Sequence, residues 1–297
     1  MTQFLQALVN GVSLAAIYAM VALGFVIIYK STQVVNFAQP ALLLLGGFWV
    51  VLFSTVVRLD FFVAVAIAAI LSAATGIVVE RTALRPMVGK PIFAVAIMTI
   101  GINTVLTILA LAGLGVDIRQ LGDPWGIEVI RIGSLTISHR EIAAVVAAIA
   151  LVGALLLFFN YTRMGLAMRA TAFDQEVALT QGVSVAWVFA LSWALASVLA
   201  MFGGIFVGAG IGIDRTAAVV ALKALPVVVV GGLDSITGAL VGALIVAIAE
   251  TMTSAFQPQY AEFLGRNFAQ VVPYLVMFVV LLIRPYGLFG TREIERV

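Results

Sequence analysis

The sequence predicts an all-α protein, a polytopic transmembrane helical bundle of about eight to nine membrane segments, one of them broken or re-entrant. Three observations predict it. Of the 297 residues, 63% are hydrophobic and only 10% are charged, giving a mean hydropathy of +1.19, far outside the range of soluble domains. Apolar runs near the ~20 residues needed to cross the hydrocarbon core as a helix recur along the chain. The short alternating segments of a β-barrel are not visible. Residues 1–297 therefore read as a single transmembrane domain with almost no soluble mass.

The segments follow in order. Leu8–Tyr29 is the first span. No basic region precedes it as in a signal peptide, so it is expected to be retained. Ala41–Val57, Phe61–Val79 and Ile92–Leu114 come next. Thr99 and Asn103, four residues apart on one face of the fourth span, can meet a transported solute or hydrogen-bond a neighbouring helix. The polar loop Gly115–Glu141 carries Asp117, Asp123, Pro124, Trp125 and Glu128. It reads either as a sheet-like or surface-lying element for an extracytoplasmic partner, or as a polar connector with an interfacial Trp125. Ile142–Phe159, Trp187–Ile213 and Phe268–Ile283 are further spans. Gly204, Gly208 and Gly212 form a ridge at four-residue spacing, and Gly238 and Gly242 repeat it, as close helix packing in membranes requires.

Thr216–Thr251 is the irregular part. Lys223 and Pro226 interrupt its first half, and Gly231-Gly232-Leu233-Asp234-Ser235 splits it. It reads as two short crossings, Ala218–Val230 and Gly238–Ala249, or as a re-entrant hairpin with one span. Broken helices at membrane depth are tolerated only where shielded or lining a cavity, which makes Ala218–Gly238 a pathway candidate. Nine crossings with the N-terminus outside put Lys30, Arg81, Arg85, Lys90, Arg163, Arg169, Arg284, Arg292 and Arg296 inside. Arg58, Arg119, Arg131, Arg140, Arg215 and Arg266 fall outside. The excess favours this orientation under the positive-inside rule.

Between two apolar runs lies a polar island, Thr171–Gly182. Thr171 followed by Asp174 has capping-box spacing and Gly182 is a natural stop, so a helix of about ten residues, roughly 15 Å long, is expected between them. Ala170, Phe173 and Val177 share one face. A turn would suffice as a connector, so the island reads as a docking surface.

Much chemistry is excluded. No P-loop occurs, and Gly89-Lys90 lacks the upstream glycine. There is no cysteine and a single histidine, His139, so no thiolate or two-histidine metal site can form. Neither a catalytic site, a metal site nor a cofactor is expected. A net charge of +2 gives no sign of nucleic acid. Gly210-Ile-Gly-Ile-Asp214 would need a second buried carboxylate to act as an aspartyl protease, and no acid is read mid-span. By the same reading the carboxylate that ion-coupled transport demands is missing. Lys223 is the ionisable group at depth; it lines a polar cavity, pairs with Asp214 or Asp234, or snorkels to an interface.

Several stretches match a known family in order: Tyr18-Ala-Met-Val-Ala-Leu-Gly24, Asn36-Phe-Ala-Gln39, Gly46-Gly47, Arg169-Ala-x-x-x-Asp-Gln-Glu-x-Ala178, Gly182-Val183, Gly231-Gly-Leu-Asp-Ser235 and Arg284-Pro-x-Gly-Leu-Phe289. Together they resemble the permeases of branched-chain amino-acid ATP-binding-cassette importers, in the shorter of the two permease types, over nearly the whole chain. The resemblance implies a multi-pass permease domain in the bacterial inner membrane. It also implies four kinds of company: a second related permease, two cytoplasmic ATPase subunits, a periplasmic substrate-binding protein and the lipid bilayer. It casts Arg169, Phe173, Asp174, Gln175, Glu176, Val177 and Gly182 as the ATPase-coupling element. Asn36, Gln39, Thr99, Asn103, Lys223 and Pro226 are the candidate pathway residues. One departure is Pro40, where the family usually has glycine; proline is tolerated in the first turn of a helix. A self-sufficient channel or ion-coupled transporter for a small neutral solute such as urea or an amide is the competing expectation.

Overall fold

A computed structural model describes the chain except residues 116, 127, 210, 211, 262, 264, 266 and 292–297 and the side chain at 114. Arg266, Arg292 and Arg296 of the charge comparison therefore lie outside the described residues, as do the first two positions of Gly210–Asp214. The helices are α1 (Thr2–Thr32), α2 (Gln39–Val51), α3 (Phe61–Val79), α4 (Ile92–Leu114), α5 (His139–Tyr161), α6 (Arg163–Phe173), α7 (Gln175–Thr180), α8 (Val185–Gly208), α9 (Ala217–Gly231), α10 (Ile236–Tyr260) and α11 (Val272–Ile283). A two-stranded antiparallel hairpin, β1 (Val129–Ile132) and β2 (Leu135–Ser138), is the sheet-like element of the long loop.

α1, α2 and α8 form the middle of the bundle. α1 is buried along most of its length, with Met20, Val21, Ala22 and Leu23 fully enclosed. α3, α4 and α5 expose much of their surface, with Ile70, Ile97, Ile108 and Ile149 each more than half accessible. Apolar exposure of that kind suits a bilayer, where helices that are hydrophobic all round lose nothing by facing outward.

Cross-links at the helix ends fix the direction of each pass. At one end, Gln6 in α1 exchanges two hydrogen bonds with the Thr136 backbone (2.7 and 2.9 Å), Gln3 Nε2 donates to Ala255 O in α10 (2.7 Å), and Ser54 beyond α2 donates to Leu121 O (2.6 Å). At the other end, Gln175 Nε2 donates to Ser31 O, Arg85 donates to Ala186 O, and Leu288 N donates to Val230 O. Nine passes alternate between these ends among the described residues, seven by long apolar helices and two by the shorter α9 and α11. Lys30, Arg81, Arg85, Arg169 and Arg284 gather at the end opposite the hairpin, hereafter the basic end.

This geometry makes the irregular part the two crossings α9 and α10, divided between Gly231 and Ile236, and not a re-entrant hairpin. The break expected at Pro226 does not occur: α9 runs unbroken from the hairpin end to the basic end with Pro226 inside it. It is neither broken nor re-entrant, although its 15 residues reach only about 22 Å against a core of about 30 Å. The irregular backbone is its lead-in, where Arg119 and Ile213 exchange two backbone hydrogen bonds (3.0 and 2.8 Å). α10 also runs beyond the expected Ala249 to Tyr260, with Gln257 side-chain bonds closing its end.

Gly212 leaves the proposed ridge, because α8 ends at Gly208 and Gly212 sits at φ 86° in that lead-in. Gly204 does pack as expected: a methyl there would stand 2.7 Å from Leu43 O in α2. Gly208 abuts Leu121 and Ile213 instead, and Gly238 and Gly242 press against Gly231 and Val227 of α9.

Candidate functional site

The polar island is two helices rather than one. α6 begins at Thr162, whose hydroxyl accepts from Gly165 N (2.9 Å), and runs to Phe173. Thr171 is therefore not an N-cap; it is buried inside α6 and its hydroxyl donates to Ala167 O (2.9 Å). The cap is Asp174, whose extended backbone breaks the helix while its carboxylate accepts from Glu176 N (2.9 Å) and Val177 N (3.0 Å). Asp is as good an N-cap as Thr and sits closer to the next turn, so the capping reading found the right segment and the wrong residue. Gly182 ends α7 at φ 80°. Its N–H bonds Leu179 O while Val183 N bonds Ala178 O (both 3.0 Å), the paired hydrogen bonds of a Schellman stop.

Burial divides this segment into a back and a front. Met168, Thr171 and Ala178 are buried against the bundle, and Gln175 Nε2 reaches Ser31 O at the end of α1 (3.3 Å). Phe173 is 94% exposed and Val177 55%; Arg169, Asp174, Glu176 and Gly182 are exposed beside them. A phenylalanine that free, at a charged end of the bundle, is surface rather than core. The base beneath it is firm. Glu80, buried in a π-helical turn after α3, pairs with Arg85 (3.0 Å). Arg85 also holds Ala186 O (3.2 Å), and the Arg81 guanidinium lies 5.2 Å from the Trp187 ring centre.

The pathway candidates divide differently. Asn36 and Gln39 are fully buried in the break between α1 and α2. Asn36 Oδ1 accepts from Ala38 N (2.9 Å) and its Nδ2 donates to Gln39 Oε1 (3.1 Å). Gln39 Nε2 in turn donates to Val21 O and Ala196 O. Thr99 Oγ1 accepts from Phe37 N (3.1 Å) and Asn103 Oδ1 from Ala41 N (3.2 Å). These four residues pin α1, α2, α4 and α8 together, and for Thr99 and Asn103 the bonds are those of the helix–helix alternative. Asn36 and Thr99 also edge a cavity of about 130 Å³, shared with Glu80, Lys90 and Gln175. Pro40 sits in the first turn of α2, as its chemistry allows.

Lys223 pairs with neither Asp214 nor Asp234. Its Nζ lies 2.5 Å from Glu250 Oε1, and Tyr18 OH donates to the other carboxylate oxygen (2.6 Å). All three are buried, joining α9, α10 and α1. A mid-span acid therefore exists, contrary to the sequence reading, which ended the span at Ala249, one residue too early to see it. Its partner Tyr18 lies in the first of the matched motifs, more than two hundred residues away, a pairing that no spacing signals. Asp214 instead accepts from the Thr216 N–H and hydroxyl just before α9, and Asp234 is bound by Thr291.

A bundle of nine passes among the described residues, seven of them long apolar helices, is the architecture of a multi-pass membrane protein. The family described as "Branched-chain amino acid transport system / permease component" matches residues 7–281, and this chain belongs to it. Escherichia coli strain K12 LivH, a high-affinity branched-chain amino acid transport system permease protein, is 29% identical over 99% of this chain and 98% of its own length. Pseudomonas aeruginosa BraD, named in the same terms, is 27% identical with the same coverage. A probable LivH from Methanocaldococcus jannaschii is 25% identical over 91% of this chain and 88% of its own. Among solved structures, PsaBC from Streptococcus pneumoniae in complex with Fab shares the fold, with a TM-score of 0.52 at 12% identity over 95% of this chain and 91% of that one. The chain is thus an inner-membrane, multi-pass member of an ATP-binding-cassette permease family.

Proposed function

We propose that this chain, over 1–297, forms the translocation subunit of an importer for branched-chain or other apolar amino acids. Its working assembly comprises a second related permease, two cytoplasmic ATPase subunits and a periplasmic binding protein. The observation that carries the reading is the α6–α7 pair: buried behind, capped at Asp174, and presenting Phe173 almost wholly to solvent. Phe173 and Val177 supply the apolar contact, and Arg169, Asp174 and Glu176 set its register by charge. A self-sufficient ion-coupled transporter would need a carboxylate free to load its ion, whereas Glu250 is taken up by Lys223 and Tyr18.

The test is co-purification of the ATPase subunits with the wild-type chain and with Phe173→Ala/Glu176→Lys in matched detergent. The double variant is expected to insert normally and to lose ATPase binding and uptake. Undiminished binding and transport would reduce α6–α7 to a connector. Concentrative uptake by the reconstituted chain alone would overturn the whole reading.

A further inference from the structure

Exposed aromatic surface at the basic end does not stop at α7. Beyond α11 the chain folds back: Leu288 N donates to Val230 O and Phe289 N to Gly231 O (both 2.9 Å). These are carbonyls that the C-terminus of α9 would otherwise leave orphaned. Thr291 then bonds the Asp234 carboxylate through its N–H (3.3 Å) and its hydroxyl. Gly232, at φ 112°, has the Gly290 backbone where a side chain would stand, so return segment and turn are fitted backbone to backbone. Between this segment and α6 lies a basin of about 560 Å³, lined by Arg169 and Phe173 from α6, Tyr286 and Thr291 from the return segment, and Lys30 from α1.

We propose that the return segment Arg284–Thr291 is a second docking arm for the same ATPase subunit, which presents an acidic, partly apolar surface to the basin. The inference rests on the reading of α6–α7 as the ATPase contact. Three features favour that occupant. Tyr286 and Phe289 are 46% and 52% exposed and lie past the last membrane helix, at the same end of the bundle as Phe173. Among the described residues lining the basin, Lys30 and Arg169 outnumber the one carboxylate, Asp234, which accepts from Thr291, and this balance favours an acidic complement. The two arms also line one basin, so a subunit that grips Phe173 abuts Tyr286. Force on the arm then reaches α9 through the backbone bonds that cap it, giving the ATPase a hold on a helix distant in sequence from α6.

The chain has no cysteine, so a single introduced thiol reports its own site. Tyr286→Cys, Ala172→Cys (beside Phe173 in the same basin) and, on the far hairpin, Arg131→Cys are each reacted with a maleimide probe in the purified permease and in the assembly with ATPase subunits. Phe289→Cys samples the same arm if Tyr286→Cys expresses poorly. Labelling at Tyr286→Cys is expected to slow about tenfold or more on assembly, equivalent to 1.4 kcal/mol or more of occlusion. Ala172→Cys should slow likewise, with Arg131→Cys unchanged. Protection at Ala172→Cys without protection at Tyr286→Cys or Phe289→Cys overturns the second arm and leaves the coupling reading intact. Protection at neither, in an assembly that co-purifies, overturns both.

Discussion

Replacing Lys223 by methionine keeps most of the side chain's length and removes only its charge, which makes the buried pair a clean test of the electrostatic reading. The side chains of Lys223 and Glu250 are 11% and 10% exposed, which decides the regime. An exposed ion pair is worth about 0–1 kcal/mol, but stranding one member of a buried pair costs about 3–5 kcal/mol. Lys223→Met leaves the Glu250 carboxylate with Tyr18 as its remaining partner, so the upper regime applies. At about 2 °C per kcal/mol for a chain of this size, the melting temperature should fall by about 6–10 °C. Lys223→Met/Glu250→Leu removes both charges and should recover most of that loss, since apolar replacement of a whole buried pair is often neutral. The Tyr18 hydroxyl then lacks its acceptor at a cost of about 1–3 kcal/mol, and adding Tyr18→Phe should recover that as well. The assay is the fraction of nanodisc-embedded protein that stays monodisperse after heating, followed by uptake in the reconstituted assembly. Lys223 is enclosed with Glu250 and Tyr18, so uptake should return with stability in the triple variant. A single variant as stable as wild type refutes the buried-pair argument. A triple variant that is stable but inactive shows that the charges act in transport itself.

Three further outcomes follow from single contacts. Asp174→Ala should cost α7 about 0.5–2 kcal/mol of local stability, read as faster amide exchange over Gln175–Thr180 and weaker stimulation of the ATPase by loaded binding protein. Gly238→Val should block the α9–α10 contact, because a side chain there meets the Gly231 carbonyl, whereas Gly153→Val points into open space; yields of folded protein in membranes separate the two. Thr99→Val removes the acceptor of the Phe37 N–H and should destabilise by about 1–3 kcal/mol, checked by the same heating assay.

The sequence carried the bundle clearly because membrane helices declare themselves by length and hydropathy, which need no knowledge of neighbours. It also marked where the polar α6–α7 pair falls, since polar residues between two apolar runs have few places to go. What it did not carry are properties of contact. Glu250 lies at the edge of an apolar window, and only the packing of α1 and α9 against α10 shows that it is buried with Lys223 and Tyr18. Thr171 and Asp174 both satisfy capping chemistry, and the choice falls to Asp174 because Thr171 is enclosed by the bundle. Gly212 shares its spacing with Gly204 and Gly208 but belongs to a different backbone conformation, which spacing cannot report.

The short α9 makes sense of the long loop. Fifteen helical residues fall short of the hydrocarbon thickness, so the missing length must be supplied by non-helical chain at depth, whose backbone groups have no water to bond. The structure meets that demand from outside the helix. Arg119 pairs both its backbone groups with Ile213, Arg140 Nη1 donates to Ala209 O (3.0 Å), and Asp214 accepts from Thr216. At the other end Leu288 and Phe289 complete the last turn. α9 is thus finished at each end by a segment borrowed from elsewhere in the chain, while its middle is tied to α10 by the Lys223–Glu250 pair. A helix that ran the full core thickness would satisfy its own backbone and need neither the 115–121 loop nor the return segment. The same shortness that makes α9 look broken in the sequence therefore leaves it hydrogen-bonded to other chain segments at both ends of the bundle.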